Sequence, residues 1–293
     1  MKTWTRIALW AVLGVVALVA GLVATGLTLS AHKRDRVVAL PPLAQVTVAP
    51  DDTSLARGAY LYATRGCVDC HGASGAGRVF VDDGSLKIKG PNISPGPGSV
   101  VAAYKTVDWD RTLRHGVKPD GRPVLIMPSE DYNRLTDIDF VALITYVKAL
   151  PPAAGGAAVI ALPLPVRVLH GLGQIPEAAT KIDHALPNNT RAVAQGESAE
   201  SGRYVGEMCK GCHGDKLLGG KIPGGPPDWP PAPRLARGEG SVLPKYPSSE
   251  ALVAMMRSGK RADGTAVRVM PFESLSKLSD TDLRALYLFL KSQ

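Results

Sequence analysis

The sequence predicts an all-α protein in which two tandem domains of the same fold follow an N-terminal transmembrane helix. Three observations lead to this fold class. An uncharged apolar run near the N-terminus is long enough to cross a bilayer, and the second half of the chain repeats the first. Neither half shows a convincing period-2 alternation of apolar and polar residues, the pattern of a half-buried strand. The 293 residues give each domain room for its own core.

The N-terminal segment, residues 1–29, is predicted to be a membrane anchor. Its uncharged run extends from Ile7 to Leu29, with basic residues on both sides. About 20 helical residues span a bilayer, whereas the apolar part of a cleavable signal peptide is usually only about 7–15 residues long. We therefore expect the anchor to remain in the mature protein. Residues 30–50, with several prolines, are predicted to form a stalk.

An internal repeat defines the two domains, which we place at residues 51–152 and 196–293. The segment Gly116–Pro128 aligns without a gap on Gly259–Pro271, and both segments contain Asp-Gly and end in Met-Pro. Two copies of one domain explain this match most simply. The intervening residues 153–195 are too apolar for a free linker, so we expect an ordered interdomain strap.

Each copy is predicted to consist of helices and loops. In the first, a helical stretch begins near Ser54, a loop rich in Gly and Pro follows, and a short helix ends before Gly116. The closing helix starts at Thr136 in a weak capping box and stops at Pro151. The second copy repeats this start with Ser279.

All four cysteines lie in two Cys-x-x-Cys-His motifs, Cys67–His71 and Cys209–His213. On one helical turn these positions share a face, so two thiols can add to the vinyl groups of a haem while the imidazole reaches its iron. This spacing is the attachment signature of c-type haem. Disulfides, redox dithiols and zinc sites also use Cys-x-x-Cys. In zinc sites, however, the two cysteine pairs usually lie about 15–20 residues apart, much closer than the two motifs of this chain, and a redox dithiol needs no histidine after its second cysteine.

We therefore expect two covalently bound haem c groups. Each haem would be attached through two thioethers and bound at its iron by the histidine of the same motif. The residues assigned to attachment and proximal ligation are Cys67, Cys70, His71, Cys209, Cys212 and His213.

The opposite axial ligand of each iron could be a methionine, a histidine or nothing. Met127 and Met270 occupy matching repeat positions, each before a proline in a loop, so we expect them to be the distal ligands. Met255 and Met256 are the rivals in the second copy. They fall in a helix-like run without methionine equivalents in the first copy, which favours core packing. Thioether ligation raises a haem potential, and two filled axial positions favour electron transfer over catalysis.

A proline follows each motif at the same distance: Pro91 lies 20 residues after His71, and Pro233 lies 20 residues after His213. An iron-bound histidine normally donates its other ring N–H to a fixed acceptor. A carbonyl in a proline-stiffened loop suits that role.

These residues resemble class I c-type cytochrome domains, and more closely the multihaem cytochrome c subunits of periplasmic alcohol and gluconate dehydrogenases. The resemblance covers most of residues 54–152, through the haem motif, Gly90–Pro95 and Met127-Pro128, and is thinner over 202–291. It implies two tandem class I cytochrome c domains in which proline carbonyls accept from the ligating imidazoles. The chain departs from those subunits in having two haem motifs rather than three and an N-terminal anchor.

The expected function is that of a membrane-anchored dihaem carrier. It would pass electrons from a periplasmic dehydrogenase to the respiratory chain, with a membrane oxidase, a cytochrome bc complex or a soluble cytochrome as acceptor. We expect no catalytic residues. A fixed dihaem subunit of a haem–copper terminal oxidase is the alternative. A dihaem peroxidase is disfavoured, because it needs an open or switchable iron and both copies have the Met-Pro loop.

Location and partners follow from the same features. Covalent haem attachment in bacteria takes place outside the cytoplasmic membrane, so we place the haem domains in the periplasm and a single N-terminal span in the inner membrane. The lipid bilayer is then a partner. The net charge is +8. No basic stripe interleaved with aromatic residues occurs, and we expect no nucleic-acid partner.

Overall fold

The computed structural model describes residues 3–226 and 228–293. The first two residues of the predicted anchor, Met1 and Lys2, lie outside this range. The helices are α1 (Thr3–Asp35), α2 (Ser54–Thr64), α3 (Cys67–His71), α4 (Thr106–His115), α5 (Ser129–Tyr132), α6 (Asp137–Ala149), α7 (Leu164–Gly171), α8 (Ala178–Lys181), α9 (Ala199–Gly206), α10 (Lys210–His213), α11 (Ser249–Ser258), α12 (Phe272–Leu275) and α13 (Asp280–Ser292). Short 3₁₀ turns cover Glu207–Cys209 and Leu243–Lys245.

Helices α2–α6 and α9–α13 form two groups with the same arrangement. In each group the first long helix packs against the last, α2 on α6 and α9 on α13. A Cβ on Gly58 would lie 2.1 Å from the carbonyl oxygen of Ala142, and one on Gly202 would lie 1.9 Å from that of Ala285. Only glycine allows backbones this close. Each group buries its own apolar core, around Leu61 in the first and Leu286 in the second.

The closing helices begin at the capping residues that the sequence predicts. The hydroxyl of Thr136 accepts a hydrogen bond from the backbone N–H of Asp139 at 3.1 Å, and that of Ser279 accepts from the N–H of Asp282 at 3.0 Å. Each cap satisfies one of the unpaired N–H groups of a first helical turn. Helix α6 then ends before Pro151, as expected, because proline cannot continue a helix.

A three-stranded antiparallel sheet departs from the all-α prediction, which is wrong in this respect. Its strands are β1 (Val79–Asp82), β2 (Lys87–Lys89) and β3 (Val159–Ala161), in the order β1-β2-β3. Strands of three or four residues are too short for a recognisable period-2 pattern. The third strand also comes from the strap, far along the chain from its partner. Tertiary packing, not local sequence, forms this sheet.

The strap between the two groups is ordered along the first group. Besides β3 it contains α7 and α8, and its backbone bonds directly to the first group: the carbonyl oxygen of Gly156 accepts from the N–H of Asn92 at 2.8 Å, and that of Asn189 from the N–H of Asp137 at 3.0 Å. Helix α1 packs against α7. Among the described residues, α1 is the one helix long and apolar enough to cross a membrane. It continues to Asp35, into the segment predicted as stalk.

Two tyrosines join the groups in a reciprocal manner. The Tyr60 hydroxyl donates to Asp282 and accepts from the N–H of Ser279 at 3.0 Å, at the start of α13. The Tyr204 hydroxyl donates to Asp139 at 2.7 Å and accepts from the N–H of Thr136 at 3.2 Å, at the start of α6. Each tyrosine follows the helix-crossing glycine of its own group by two residues. The contact therefore relates the two groups by an approximate two-fold symmetry.

Candidate haem-binding sites

The first Cys-x-x-Cys-His motif forms a single helical turn, α3, enclosed by two glycines. Gly66 before it has φ 80°, and Gly72 after it has φ 72°. Both have a positive φ, which glycine adopts without strain. The Tyr62 hydroxyl donates to the carbonyl of Gly72 at 2.6 Å and ties the end of the turn to α2. The turn thus presents both thiols and the imidazole of one motif together.

The second motif has the same form with a less regular start. Cys209 ends a 3₁₀ turn, and α10 carries the remaining residues to His213. Gly214, with φ 79°, ends the helix as Gly72 does in the first motif. The repeat therefore extends to the backbone around the motif.

Each motif histidine has one ring nitrogen bound to a proline carbonyl. The distance from Nδ1 of His71 to the carbonyl oxygen of Pro91 is 2.9 Å, and that from Nδ1 of His213 to the carbonyl oxygen of Pro233 is 2.8 Å. Because a carbonyl only accepts, Nδ1–H is the donor and Nε2 carries the free lone pair. Burial lowers the pKa of both imidazoles and favours the neutral form that binds a metal.

The loop that supplies the first proline carbonyl lies directly on α3. A Cβ on Gly90 would lie 2.0 Å from the carbonyl oxygen of Cys70, so only glycine fits here. The backbone N–H of Arg78 donates to the same Cys70 carbonyl at 2.9 Å. These contacts hold the Pro91 loop against the motif and fix the orientation of the His71 ring.

No disulfide joins any of the four cysteines, all of which lie among the described residues. Burial raises the pKa of Cys67 and of Cys209 to about 12 and that of Cys70 to about 11. Redox-active and zinc-bound cysteines need the thiolate. Within the described residues no three His, Cys, Asp or Glu side chains lie close enough to hold a metal ion. Neither motif therefore forms part of a zinc site of three such side chains among the described residues.

Met127 and Met270 lie in loops of matching geometry. The following prolines, Pro128 and Pro271, have φ and ψ of −79° and 70° and of −78° and 70°. Met127 is half-buried against the core that Cys67 also contacts, and Met270 is half-buried against the core that Cys209 contacts. The structure thus brings each methionine to the same core as the cysteine of its own repeat.

The rival methionines of the second copy lie elsewhere. Met255 and Met256 are on α11, only 6% and 5% exposed, and belong to the second apolar core. Their side chains pack against other apolar residues there, as a methionine on an apolar helix face usually does.

Comparison with known proteins decides the family. The model of the cbb3-type cytochrome c oxidase subunit III family matches residues 53–147 and again 197–290. These two matches cover the two helical groups, one haem motif in each.

The chain belongs to this family.

Curated relatives extend the comparison. The cytochrome c subunit of the quinone alcohol dehydrogenase of Gluconobacter oxydans is 28% identical over 274 residues, which is 83% of this chain and 55% of that subunit. The fructose dehydrogenase cytochrome subunit of Gluconobacter japonicus is 28% identical over 82% of this chain and 52% of its own length. A dihaem c-type cytochrome of Cereibacter sphaeroides is 27% identical over 80% of this chain and 84% of its own.

The chain spans about half the length of the two dehydrogenase subunits. It is a multihaem c-type cytochrome that resembles the cytochrome subunits of dehydrogenases. Haem binding and electron transport are the properties that family and relatives share.

The residues of this cytochrome fit a haem in each group. An imidazole with its Nε2 free and a thioether on the same core could bind the iron, and the two thiols of the motif could attach the porphyrin. Soft nitrogen and sulfur donors suit haem iron. In each half of the chain, the donors come from one motif and one Met-Pro loop.

Contacts between the two sites are the feature that the sequence does not predict. The backbone N–H of Gly211, inside the second motif, donates to Asp131 at 3.0 Å, and Asp131 follows the Met-Pro turn of the first group on α5. Reciprocally, the Ser274 hydroxyl on α12 bonds the carboxylate of Asp69, inside the first motif, at 3.0 Å. Each haem motif therefore touches the short helix that follows the methionine loop of the other group.

Burial raises the pKa of Asp131 to about 7, with neighbouring Glu130 adding to the effect. Asp131 and Ser274 occupy equivalent positions of the internal repeat. The alignment of the two halves therefore contains a hint that these two residues have related roles. That hint gives no distance between the halves, and the contact becomes visible only in three dimensions.

Proposed function

We propose that this cytochrome is a membrane-anchored dihaem carrier that transfers electrons from a periplasmic dehydrogenase to the respiratory chain. The observation that carries the proposal is the duplicated site: two Cys-x-x-Cys-His turns, each with its histidine fixed on a proline carbonyl. The similarity to dehydrogenase cytochrome subunits supports the choice of donor.

Within this proposal each site residue has one task. Cys67, Cys70, Cys209 and Cys212 attach the two haems, and His71 and His213 bind the irons through Nε2. The carbonyls of Pro91 and Pro233 orient the imidazoles. Met127 and Met270 are the distal ligands, which would favour the reduced state of the iron over the oxidised state. Bound haem c supplies one-electron iron chemistry. The chain supplies attachment and orientation.

The proposed domains follow the two helical groups. Residues 51–152 and 196–293 would be class I cytochrome c domains, with residues 153–195 as the strap between them. The contacts of Asp131 with Gly211 and of Ser274 with Asp69 support an arrangement in which the two haems face one interface. Electrons could then pass within the chain from donor to acceptor without any rearrangement of the domains.

Membrane attachment through α1 completes the proposal. The apolar residues of α1 are exposed along its length, as expected for a helix that faces lipid. A single span in the inner membrane would place the haem domains in the periplasm, close to membrane-bound acceptors such as an oxidase or a cytochrome bc complex. A soluble cytochrome remains a further candidate acceptor.

A second candidate function has one observation in its favour. The matching family is described as a subunit of the cbb3-type cytochrome c oxidase. A fixed subunit of a haem–copper oxidase would use the same two sites and the same anchor, and would differ only in its permanent partner.

Haem loading of the purified chain tests the basis of both candidates. We expect two haems per chain by mass spectrometry, with the colour remaining on the protein after acid–acetone extraction. The Cys67→Ser, Cys70→Ser variant should retain one haem, and its counterpart Cys209→Ser, Cys212→Ser should retain the other. Loss of all colour into the organic phase would contradict covalent attachment.

Purification from native membranes in a mild detergent separates the two candidates. A dehydrogenase that travels with the chain and reduces it on addition of its substrate supports the proposed carrier. Stable association with a haem–copper oxidase in place of a dehydrogenase would support the second candidate.

A further inference from the structure

The strap helix α7 is attached to the C-terminal end of α1. A Cβ on Gly26 would lie 2.8 Å from Cγ1 of Val168, and a Cβ on Gly171 would lie 1.8 Å from the carbonyl oxygen of Gly26. Gly26 and Ser30 are the buried residues of α1. Small residues at a helix crossing allow the backbones to approach closely, as at many contacts between helices in membranes.

Polar contacts fix the position of α7 along α1. The Ser30 hydroxyl and Nδ1 of His170 are 2.8 Å apart, and Nζ of Lys33 donates to the carbonyl of His170 at 3.0 Å. Nε2 of His170 lies 3.1 Å from the buried carboxylate of Glu177, to which Arg36 donates at 3.0 Å. These bonds tie the C-terminal end of α7, and Glu177 beyond it, to residues just past the apolar run.

The attachment lies at one boundary of the proposed membrane span. The apolar run ends at Leu29. With a rise of about 1.5 Å per helical residue, Gly26 lies about 5 Å inside that end and Lys33 about 6 Å outside it. An in-plane amphipathic helix sits about 5–10 Å into the boundary between headgroups and acyl chains. Helix α7 therefore lies at the depth where such helices lie.

One face of α7 is apolar and exposed. Leu164, Leu169 and Leu172 at its C-cap are 51%, 43% and 37% exposed. With about 100° of turn per residue, these three side chains fall within about 140° of the helix circumference. Val168, which contacts Gly26 of α1, falls within this arc, and Gly171 lies only about 20° outside it. The exposed leucines therefore lie beside the residues that hold α7 on the anchor, next to the apolar surface of α1.

We propose that α7 is a second membrane contact, with Leu164, Leu169 and Leu172 inserted into the outer boundary of the bilayer beside α1. The inference rests on the proposed membrane span of α1. Lipid is the occupant that the structure favours, because the leucine face adjoins the exposed apolar surface of α1 at its boundary. A soluble partner would have to enter the membrane to cover it. Arg167, exposed at the side of α7, is placed to meet lipid phosphates.

Such a contact would hold the first haem domain at a fixed height and orientation on the membrane. Strand β3 directly precedes α7 and pairs with β2, which leads into the Pro91 loop. The chain after Asp35 is also bonded to the first group, where the N–H of Val38 donates to the carbonyl of Gly121 at 2.8 Å, and the two attachments would act together.

Spin labels on the haem-loaded full-length chain in lipid nanodiscs test the proposal. Leu169→Cys and Leu164→Cys probe α7, Leu13→Cys probes the centre of α1, and the exposed Leu218→Cys in the second group is the matched aqueous control. Oxygen concentrates in the bilayer, while a water-soluble nickel chelate is excluded from it. An unchanged haem spectrum shows that each variant is folded.

We expect the nickel chelate to reach the α7 labels ~5-fold less than Leu218→Cys, with raised accessibility to oxygen, as at Leu13→Cys. A lipid signal at Leu13→Cys with an aqueous signal on α7 would overturn this inference and leave the anchor intact. Low accessibility of α7 to both reagents would mean that protein covers it, which also overturns the inference. An aqueous signal at Leu13→Cys would refute the anchor itself and the inference with it.

Discussion

At the scale of single residues, the two sites repeat each other most closely at the histidine. Each Nδ1 lies within 2.9 Å of a proline carbonyl, and each Met-Pro turn has the same backbone conformation. The side chains around the motifs differ between the copies: an aspartate, Asp131, contacts the second motif, and a serine, Ser274, contacts the first. The ligands are thus expected to be alike while their surroundings are not.

Replacement of Met127 by histidine tests the distal ligand. Imidazole stabilises the oxidised iron relative to a thioether, and the identity of axial ligands spans about 0.8 V in haem proteins. We therefore expect one of two midpoint potentials to fall by on the order of 0.1 V. About half of the far-red sulfur-to-iron band should be lost. Redox titration with optical detection measures both changes.

Met255→Leu is the control for this substitution, because Met255 is buried in the second core. It should leave both potentials and the far-red band unchanged. If the double variant Met127→Ala, Met270→Ala retains both potentials and the band, these methionines are not the ligands.

Asp131 makes stability depend on pH. Burial raises its pKa from 3.8 to about 7, so the folded state favours the protonated carboxyl. The stabilisation of the folded state by the protonated Asp131 is fully present below pH 3.8 and is lost as the pH rises to about 7. Three pKa units correspond to about 4 kcal/mol. Asp131→Asn keeps an acceptor for the N–H of Gly211 but cannot ionise.

Unfolding by guanidinium chloride at pH 5 and at pH 8 measures this effect. We expect the free energy of unfolding of Asp131→Asn, relative to that of the native chain, to be higher at pH 8 than at pH 5 by up to a few kcal/mol. The exposed Asp83→Asn should change stability equally at both pH values, because the N–H groups of Leu86 and Ser85 lower the pKa of Asp83 below 3.8. An equal difference for Asp131→Asn at both pH values would show that Asp131 is ionised throughout.

At the scale of elements, the two helix crossings depend on glycine. A Cβ on Gly58 or Gly202 would overlap the backbone of the partner helix. Extra atoms in a tightly packed contact cost about 1–3 kcal/mol, sometimes more. We expect Gly58→Ala and Gly202→Ala each to lower the free energy of unfolding by at least that amount. Chemical denaturation of the haem-loaded chain measures the loss.

Gly156→Ala is the matched control for the crossings, since a Cβ there would meet no atom within 4 Å. It should leave stability almost unchanged. If Gly58→Ala and Gly202→Ala lower the free energy of unfolding no more than the control does, the helices can move apart slightly without loss of stability.

The elements differ in how far the sequence predicts them. Thr136 and Ser279 could be predicted as caps because the signal lies within a few residues of each helix start. The Met-Pro loops could be found because the repeat preserves them. The sheet, the attachment of α7 to Gly26 and the contact of Asp131 with Gly211 join residues far apart in sequence. No local pattern encodes such contacts, which depend on how the groups pack.

At the scale of the whole molecule, Tyr60 and Tyr204 couple the two groups. Each hydroxyl bonds both a carboxylate and a backbone N–H at the start of the closing helix of the other group. Hydrogen bonds to charged groups contribute about 1.5–3 kcal/mol. We expect Tyr60→Phe and Tyr204→Phe each to destabilise the chain by about 1–2 kcal/mol. The double variant should unfold in two thermal steps where the native chain unfolds in one.

Tyr146→Phe is the control, because the hydroxyl of Tyr146 makes no hydrogen bond among the described residues. Differential scanning calorimetry of the two single variants, the double variant and this control gives the comparison. Unchanged cooperativity in the double variant would show that other contacts couple the groups.

The reciprocal tyrosine contact has a consequence for the origin of the chain. Matching surfaces that bond each other across a two-fold axis are the interface of a symmetric homodimer. The two groups therefore have the form of such a dimer joined into one polypeptide, with residues 153–195 as the join. In a homodimer every substitution occurs twice, so both haems keep identical surroundings. Fusion removes that constraint. Arg57 pairs with Asp139 in the first half, whereas the position equivalent to Arg57 in the second half is Ser201, which cannot form an ion pair. Each half can then evolve its own potential, so that one half can come to suit an electron donor and the other an acceptor.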